Sequence, residues 1–398
     1  MIKKNINYAS HNIDKEDIKA INRTLNSNFL TQGPEINKFE ECLKKNFHSK
    51  FAVAVSSGTA ALKIALKSLK LEKYSGVIVP ANTFIATANA VTFSNFNLIL
   101  APVNKEHGGL DYQSLVIALK YAKKKKIKVR CLINVFYAGQ VWDVEKIYSL
   151  CKKNKIKIIE DACHAIGTKY LVKNKMYRVG SCQHCDISTM SFHSIKNITT
   201  GEGGCILTNS KDIYNYSKLI RTHGINRDPK SSKKNKKLFK QPWFYEAIEF
   251  SENYRLTDIQ SSLGISQLKK LDKFKFYKSN LHKYYLKKIS DLKDILEPIT
   301  LNKNSDTHWH LFPVLLKKKY LDKKIYLFNF LKKNGINIQV NYIPIYKHPI
   351  YKNKYLIKVH KDSEIFYKKV ISLPFHTKIT KKDVNFIIDK IHQFSLNI

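Results

Sequence analysis

Apolar runs of strand length recur along the first half of the chain, at Phe51–Val55, Val77–Val79, Arg130–Val135, Ile156–Ile159, Ile187–Met190 and Cys205–Leu207. Between several of them the apolar positions switch to a helical period, over Thr59–Leu69 and Val144–Lys153. Strands alternating with helices predict an α/β fold around a large, mostly parallel sheet. After Tyr254 comes a long helical pattern, LTDIQSSLGISQLKKLDKF, and the Lys- and Tyr-rich stretch from about Phe276 to Leu286 continues it. From about residue 290 the pattern changes to shorter strands and helices. We therefore expect a large domain over residues 1–270, including an N-terminal segment, and a smaller C-terminal α/β domain over 271–398. The length of 398 residues suits two domains better than one small core. The basic stretch RDPKSSKKNKKLFKQP, Arg227 to Pro242, has a proline near either end and reads as a surface loop.

Composition changes this picture little. Apolar residues make up 43% and aromatics 12%, enough for a globular core. No apolar run is long enough to span a membrane, and the opening MIKKNINYASHNIDKED lacks a signal-peptide core, so a cytoplasmic location is expected. The seven cysteines are an odd, scattered set, which predicts reduced thiols. Cys182-Gln183-His184-Cys185 offers the start of a zinc site, but no second Cys/His pair follows at a suitable spacing, and no metal is expected. The formal charge of +39 is the loudest feature. Such a charge can mark nucleic-acid binding. Here the lysines spread along the whole length, beside no RNA-binding or helix-turn-helix signature, so we read a global lysine bias and expect no nucleic-acid partner. A positive field still draws anionic substrates.

Three motifs carry candidate chemistry. In SSGTAALKIAL, Ser56 to Leu66, a strand gives way to a helix with Ser56 or Ser57 as N-cap. Free N–H groups at Gly58 and Thr59 could bind a phosphate there, although a plain capped turn has the same pattern. In KIIEDACHAIG, Lys157 to Gly167, Asp161 lies just past an apolar strand, with His164 three residues on. Ligands gather at such carboxyl ends. Asp161 could be a general base, a ribose contact, a partner for a protonated ring nitrogen, or simply a cap. In SFHSIKNITTGEGG, Ser191 to Gly204, Lys196 stands apart from the lysine runs, between a strand end and a glycine-rich exit. An amine held in a low-dielectric pocket loses its proton more easily and can attack a carbonyl. Pyridoxal 5'-phosphate needs all three features: a helix N-terminus for its phosphate, a lysine for its aldehyde and a carboxylate for its pyridinium nitrogen. Phe84, in PANTFIATANAV (Pro80–Val91), could stack on the ring or be an ordinary core aromatic.

These motifs, with NYRLTDIQSSLGISQL (Asn253 to Leu268), resemble the DegT/StrS-type sugar aminotransferases, which have the type I fold of pyridoxal-phosphate enzymes. The resemblance covers nearly the whole chain. It implies that Lys196 is the Schiff-base lysine and proton shuttle, Asp161 the pyridinium partner, and His164 a residue beside the ring. It implies that Ser191, Gly58 and Thr59 hold the phosphate and that Phe84 stacks on the ring. It implies that Asn253 is a phosphate ligand given by a neighbouring subunit, with Arg255 close by, which makes the enzyme a homodimer with shared sites. Some family members with another residue at the lysine position are dehydratases, and Lys196 argues against that activity here. NYASHNIDKEDI, LTQGPEINKFEE, GSCQHCDIS, RTHGINRDP and QPWFYE narrow the resemblance to members that move an amino group from glutamate to C4 of a UDP-linked 4-keto-6-deoxy-N-acetylamino sugar in pseudaminic acid synthesis. It further implies that Tyr8, the turn of Asn28, Phe29, Leu30 and Thr31, and Tyr342 line the sugar-nucleotide pocket. Ser194 stands where this family commonly has proline, and Asn341 and Tyr346 stand where histidines are expected. Rival readings are an enzyme making a 4-amino-arabinose or perosamine nucleotide and, from another class, a basic nucleic-acid-binding protein.

Overall fold

The computed structural model describes residues 5–229, 237–352 and 360–396. The run Lys233–Lys236 of the expected basic loop lies outside them. The chain begins with two helices, α1 (Lys15–Leu25) and α2 (Pro34–Phe47). Strands β1 (Phe51–Val55), β2 (Gly76–Pro80), β3 (Asn97–Ala101), β4 (Val129–Val135) and β5 (Lys157–Asp161) then alternate with α3 (Gly58–Ser68), α4 (Ile85–Phe93), α5 (Tyr112–Lys124) and α6 (Val144–Lys153). A small hairpin, β6 (Lys169–Val172) and β7 (Lys175–Arg178), precedes β8 (Ile187–Ser191) and β9 (Gly204–Thr208), and helix α7 (Lys211–Arg221) follows. The main sheet has seven strands in the order β1-β9-β8-β5-β4-β2-β3. All run parallel except β9, which is antiparallel to both of its neighbours. The mostly parallel α/β sheet expected from the alternating pattern is therefore present.

Both faces of this sheet are covered, which is why its strands read as unbroken apolar runs. The pleat sends Val77 and Val79 of β2 into a cluster with Leu62, Leu66 and Ile159. It sends Ile78 the other way, onto Leu115, Ala118 and Ile147 of α5 and α6. The same alternation on β5 puts Asp161 and Glu160 on opposite faces. Glu160 is buried, its carboxyl faces the side chains of Ser188 and Cys185, and burial pushes it up to about 7. A carboxyl that keeps its proton in the fold but releases it near pH 4.5 when unfolded loses stability as pH rises between the two values. We expect the wild type to lose about 3 kcal/mol relative to Glu160→Gln between pH 4.5 and pH 8. Urea denaturation of both proteins across that range measures the difference, and parallel profiles would contradict it.

The expected continuous helix after Tyr254 is two helices, α8 (Asp258–Leu268) and α9 (Leu271–Ile289). The break falls at Lys269 and Lys270. Lys270 there pairs with Asp14 and Asp17, the two residues of the capping box that starts α1. Periodicity alone could not show it, because the apolar pattern continues across the turn. Asp258 reaches back in the same way to accept from Gly33 and Glu35 N–H at 2.8 Å, supplying the side-chain cap that α2 lacks at its own Gly33. Gly264 lets α8 lie close against α2, since a Cβ there would meet the Phe39 ring at 2.6 Å.

A separate apolar cluster gathers residues of the C-terminal third. Leu281 and Tyr285 of α9 meet Phe312, Val314, Ile371 and Ile387 there. It surrounds a three-stranded antiparallel sheet of segments Leu296–Pro298, Phe312–Leu316 and Val370–Leu373. The N-terminal segment joins this cluster. Ile6 exchanges backbone hydrogen bonds with Gly335 and Asn337, and the Tyr8 carbonyl accepts from Phe375 N–H at 3.1 Å. Among the described residues no helix is long and apolar enough to cross a membrane, and no cluster of three or more His, Cys, Asp or Glu could hold a metal. All seven cysteines are free.

Candidate active site

Strands β1, β2, β5 and β8 end at one edge of the sheet, and the residues that follow them line a cavity of about 640 Å³. Each piece has a local cause. Ser57 caps α3, its hydroxyl accepting from Ala60 N–H at 3.1 Å. Gly58 and Thr59 line the cavity with first-turn N–H groups that have no partner within the helix. A Cβ on Gly58 would meet Cβ of Ser191 at 2.7 Å, so glycine lets the helix start come against the end of β8. Asp161 ends β5. Its Oδ2 accepts from the Thr87 hydroxyl at 2.8 Å and its Oδ1 from Cys163 N–H at 3.3 Å. The turn from Phe192 to Thr200 carries Lys196, pinned by the Lys196 N–H to the His193 carbonyl and by Thr200 N–H to that of Phe192.

The cavity thus brings together Gly58, Thr59, Phe84, Asp161, His164, Ser191, Lys196, Tyr8 and Tyr342. Burial pushes the Lys196 amine down from its ordinary value, against the opposing pull of Cys163 and Asp161. Burial, aided by the cations at Lys196 and Lys278, pushes His164 far down, so its ring is neutral near pH 7. The His164 Nε2 lies 2.9 Å from the Tyr342 hydroxyl, and His310 stacks at a tilt behind it with ring centres 4.4 Å apart. Phe84 is 55% exposed at the mouth, with its ring centre 5.8 Å from that of Tyr342. The Tyr8 hydroxyl donates to Asn341 Oδ1 at 3.0 Å. Asn341, at a position expected to hold histidine, thus anchors a residue from the opposite end of the sequence. An amine, a carboxylate and a helix N-terminus around an open, aromatic-edged space can hold an anionic heteroaromatic aldehyde.

A search against known families matches the DegT/DnrJ/EryC1/StrS aminotransferase model over residues 11–392. The chain belongs to this family. Its members depend on pyridoxal phosphate. A UDP-4-amino-4,6-dideoxy-N-acetyl-beta-L-altrosamine transaminase of Campylobacter jejuni is 33% identical over 387 residues, 97% of this chain and 96% of its own length. The enzyme of the same name from Helicobacter pylori is 32% identical over 391 residues, 96% of each chain. The structure of Helicobacter pylori PseC, an aminotransferase of pseudaminic acid biosynthesis, superposes with a TM-score of 0.87 at 31% identity, over 99% of this chain and 100% of that one.

The residues present fit the family's cofactor. The space a Gly58 side chain would fill lies beside the Ser191 hydroxyl, at the N-terminus of α3, and the buried Asp161 carboxylate faces the same cavity. Six expected site residues are elsewhere. Asn28, Phe29, Leu30 and Thr31 form an exposed turn, with Thr31 bridged to Thr257. Asn253 bridges Thr222, and Arg255 bridges Val55 along the edge of β1. None of these six lines the cavity within a single chain.

Other cavity residues escaped the sequence reading. Thr87 is buried and holds Asp161, and its only signal was a threonine three residues after Phe84 on α4. Cys163, His193 and His310 also line the cavity. Thr87→Val should lower kcat about 10- to 100-fold with little change in KM for either substrate, the range for one lost hydrogen bond to a charged group. Steady-state kinetics checks it, and an unchanged kcat would show that Cys163 N–H alone suffices to hold Asp161.

Proposed function

We propose that this chain transfers the amino group of glutamate to C4 of a UDP-linked 4-keto-6-deoxy-N-acetylamino sugar. One observation carries the reading: Lys196, Asp161 and the N-terminus of α3 converge on a single cavity in a chain about a third identical to transaminases named for such a sugar. The cofactor, when bound, supplies an aldehyde that takes up nitrogen and a ring that withdraws electrons from the reacting carbon. The protein's residues do the rest. Gly58 and Thr59 N–H and the Ser191 hydroxyl bind the phosphate. The Asp161 carboxylate, fixed by Thr87, holds the proton on the ring nitrogen. Phe84 would stack on the ring and His164 would lie beside it. The Lys196 Nζ would hold the aldehyde, and as a free amine it would be the base that moves a proton between the donor's α-carbon and the aldehyde carbon. Tyr8 and Tyr342 orient the sugar, and the net charge of +39 draws the diphosphate.

Two chains share each site in this reading, with Asn253 and Arg255 of the partner completing the phosphate and sugar contacts. Exposed apolar side chains support it: Phe29 and Leu30 on the turn before α2, and Trp243 and Phe250 before Asn253. Size-exclusion chromatography with light scattering should give a dimer. Loaded enzyme with glutamate and the UDP-linked 4-keto sugar should form 2-oxoglutarate and a 4-amino sugar nucleotide, identified by mass spectrometry and NMR. Amination of only a 4-keto-arabinose or 4-keto-mannose nucleotide would replace the substrate assignment. Borohydride reduction of the loaded wild type should place the cofactor on the Lys196 peptide.

A further inference from the structure

One stretch of the cavity wall comes from the segment Gln339 to Ile343. The fold holds it at both ends. Gln339 and Ser372 exchange backbone hydrogen bonds at 3.1 and 2.7 Å, which adds the segment to the edge strand Val370–Leu373 of the C-terminal sheet. Ile345 N–H donates to the Ala81 carbonyl at 2.8 Å, just past the end of β2. A polar side chain on such a stretch is placed by rigid elements. Asn341 sits in its middle, with 6% of its surface exposed.

The Asn341 amide is used on one side only. Its Oδ1 accepts from the Tyr8 hydroxyl at 3.0 Å, and Tyr8 is itself fixed by Phe375 N–H on its carbonyl at 3.1 Å. With Oδ1 on the phenol, Nδ2 is left with two N–H groups, and they have no acceptor among the described residues. Nor is Nδ2 sealed inside the protein, as the orphaned Tyr137 hydroxyl and His310 Nδ1 are; it opens on the cavity that Asn341 lines. The surroundings select the kind of oxygen it suits. No cation lies between Gln339 and Ile343, and the aromatic rings of Tyr8, Tyr342 and Phe84 edge this side of the space. Among the described residues Lys196 is the only lysine lining the cavity, and no arginine lines it. Carboxylates and phosphates call for cations. A neutral donor beside aromatic rings suits the hydroxyl and carbonyl oxygens that a sugar presents. Histidine, expected at this position from the family resemblance, has one N–H when neutral and titrates; the amide keeps two at every pH.

We propose that Asn341 is a specificity-determining residue for the acceptor sugar: pinned by Tyr8, its Nδ2 donates to an uncharged oxygen of that sugar, a hydroxyl or a carbonyl. The inference rests on the keto-sugar reading given above and adds to it a group that tells the two substrates apart. Glutamate and the sugar use one cavity in turn. The oxygens of glutamate are all carboxylate oxygens, whereas those of the sugar ring and its substituents are uncharged. A buried donor built to pair such an oxygen discriminates against a molecule that lacks it, because the donor is then left unpaired.

The test follows the two half-reactions separately in the full-length enzyme, by single turnover. Enzyme loaded with pyridoxal phosphate is mixed with glutamate, and enzyme loaded with pyridoxamine phosphate with the UDP-linked 4-keto sugar. Calorimetry measures the binding of UDP alone. Asn341→Leu keeps the bulk and removes the amide. The second-order rate constant for the keto sugar should fall about 10- to 100-fold, the range for one lost hydrogen bond, while the glutamate constant and the Kd of UDP stay within about threefold. A fall of all three together is what a structural role predicts and would overturn the proposal, as would an unchanged constant for the keto sugar. Should the Leu variant fail to fold, Asn341→Asp keeps the size and the acceptor for Tyr8 but lacks the N–H groups, and a wild-type constant for the keto sugar in that variant overturns it equally. Failure of the keto-sugar reading is separate: it shows in the wild type, as no amination of any UDP-linked 4-keto sugar, and takes the proposal with it.

Discussion

Lys196→Ala should abolish turnover while leaving a protein that still binds the cofactor without a covalent bond. Gly58, Thr59, Ser191, Asp161 and Phe84, the proposed cofactor contacts, line the cavity apart from the lysine side chain, so affinity through them should survive. Two things would be lost with the amine: the covalent tether, and the base that would move a proton between the donor's α-carbon and the aldehyde carbon. The expected loss in kcat is at least about 10⁴-fold, or about 5 kcal/mol in the barrier. The visible absorbance of the lysine-bound cofactor should vanish, and equilibrium dialysis should still show bound pyridoxal phosphate. Turnover within tenfold of the wild type would end the assignment of Lys196.

Asp161→Asn should be nearly as damaging for a different reason. The amide has the same shape and can still accept from the Thr87 hydroxyl. It cannot balance a positive charge on a ring nitrogen, and an unprotonated ring withdraws electrons poorly. We expect kcat to fall about 10³-fold or more, about 4 kcal/mol, with the cofactor still trapped on Lys196 by borohydride. That combination separates the two residues: one variant loses the bond, the other keeps the bond and loses the electron sink. A variant with wild-type kcat would make Asp161 a structural cap.

Sheet and cofactor motifs were legible because both depend on local chemistry. Buried parallel strands need apolar runs; β1, β2, β4, β8 and β9 each contain the run that predicts them, and β5 starts one residue into its run, Ile156–Ile159. Strand β3, Asn97–Ala101, was missed: its run NLILA is as apolar as the others but follows α4 after only three residues, Ser94 to Phe96, and merges with it. The two-residue strands, and the segments Leu296–Pro298 and Val370–Leu373 of the C-terminal sheet at three and four residues, are too short for a period to register. The break between α8 and α9 was invisible because its cause, the Lys270 pairing with Asp14 and Asp17, lies some 250 residues away in the chain.

By itself, the sequence determined the order of elements over the sheet, the three motifs at strand ends, and the kind of chemistry they can perform. Backbone periodicity and side-chain reactivity are properties of neighbours in the chain. The tertiary structure alone decided what converges. It put Thr87 on Asp161, Tyr8 on Asn341 and Tyr342 on His164. Each of these contacts joins residues more than 70 apart, and no local pattern encodes them. They follow from packing helices on a twisted sheet so that its carboxyl ends face one cavity, and burial there sets how each amine and imidazole holds its proton.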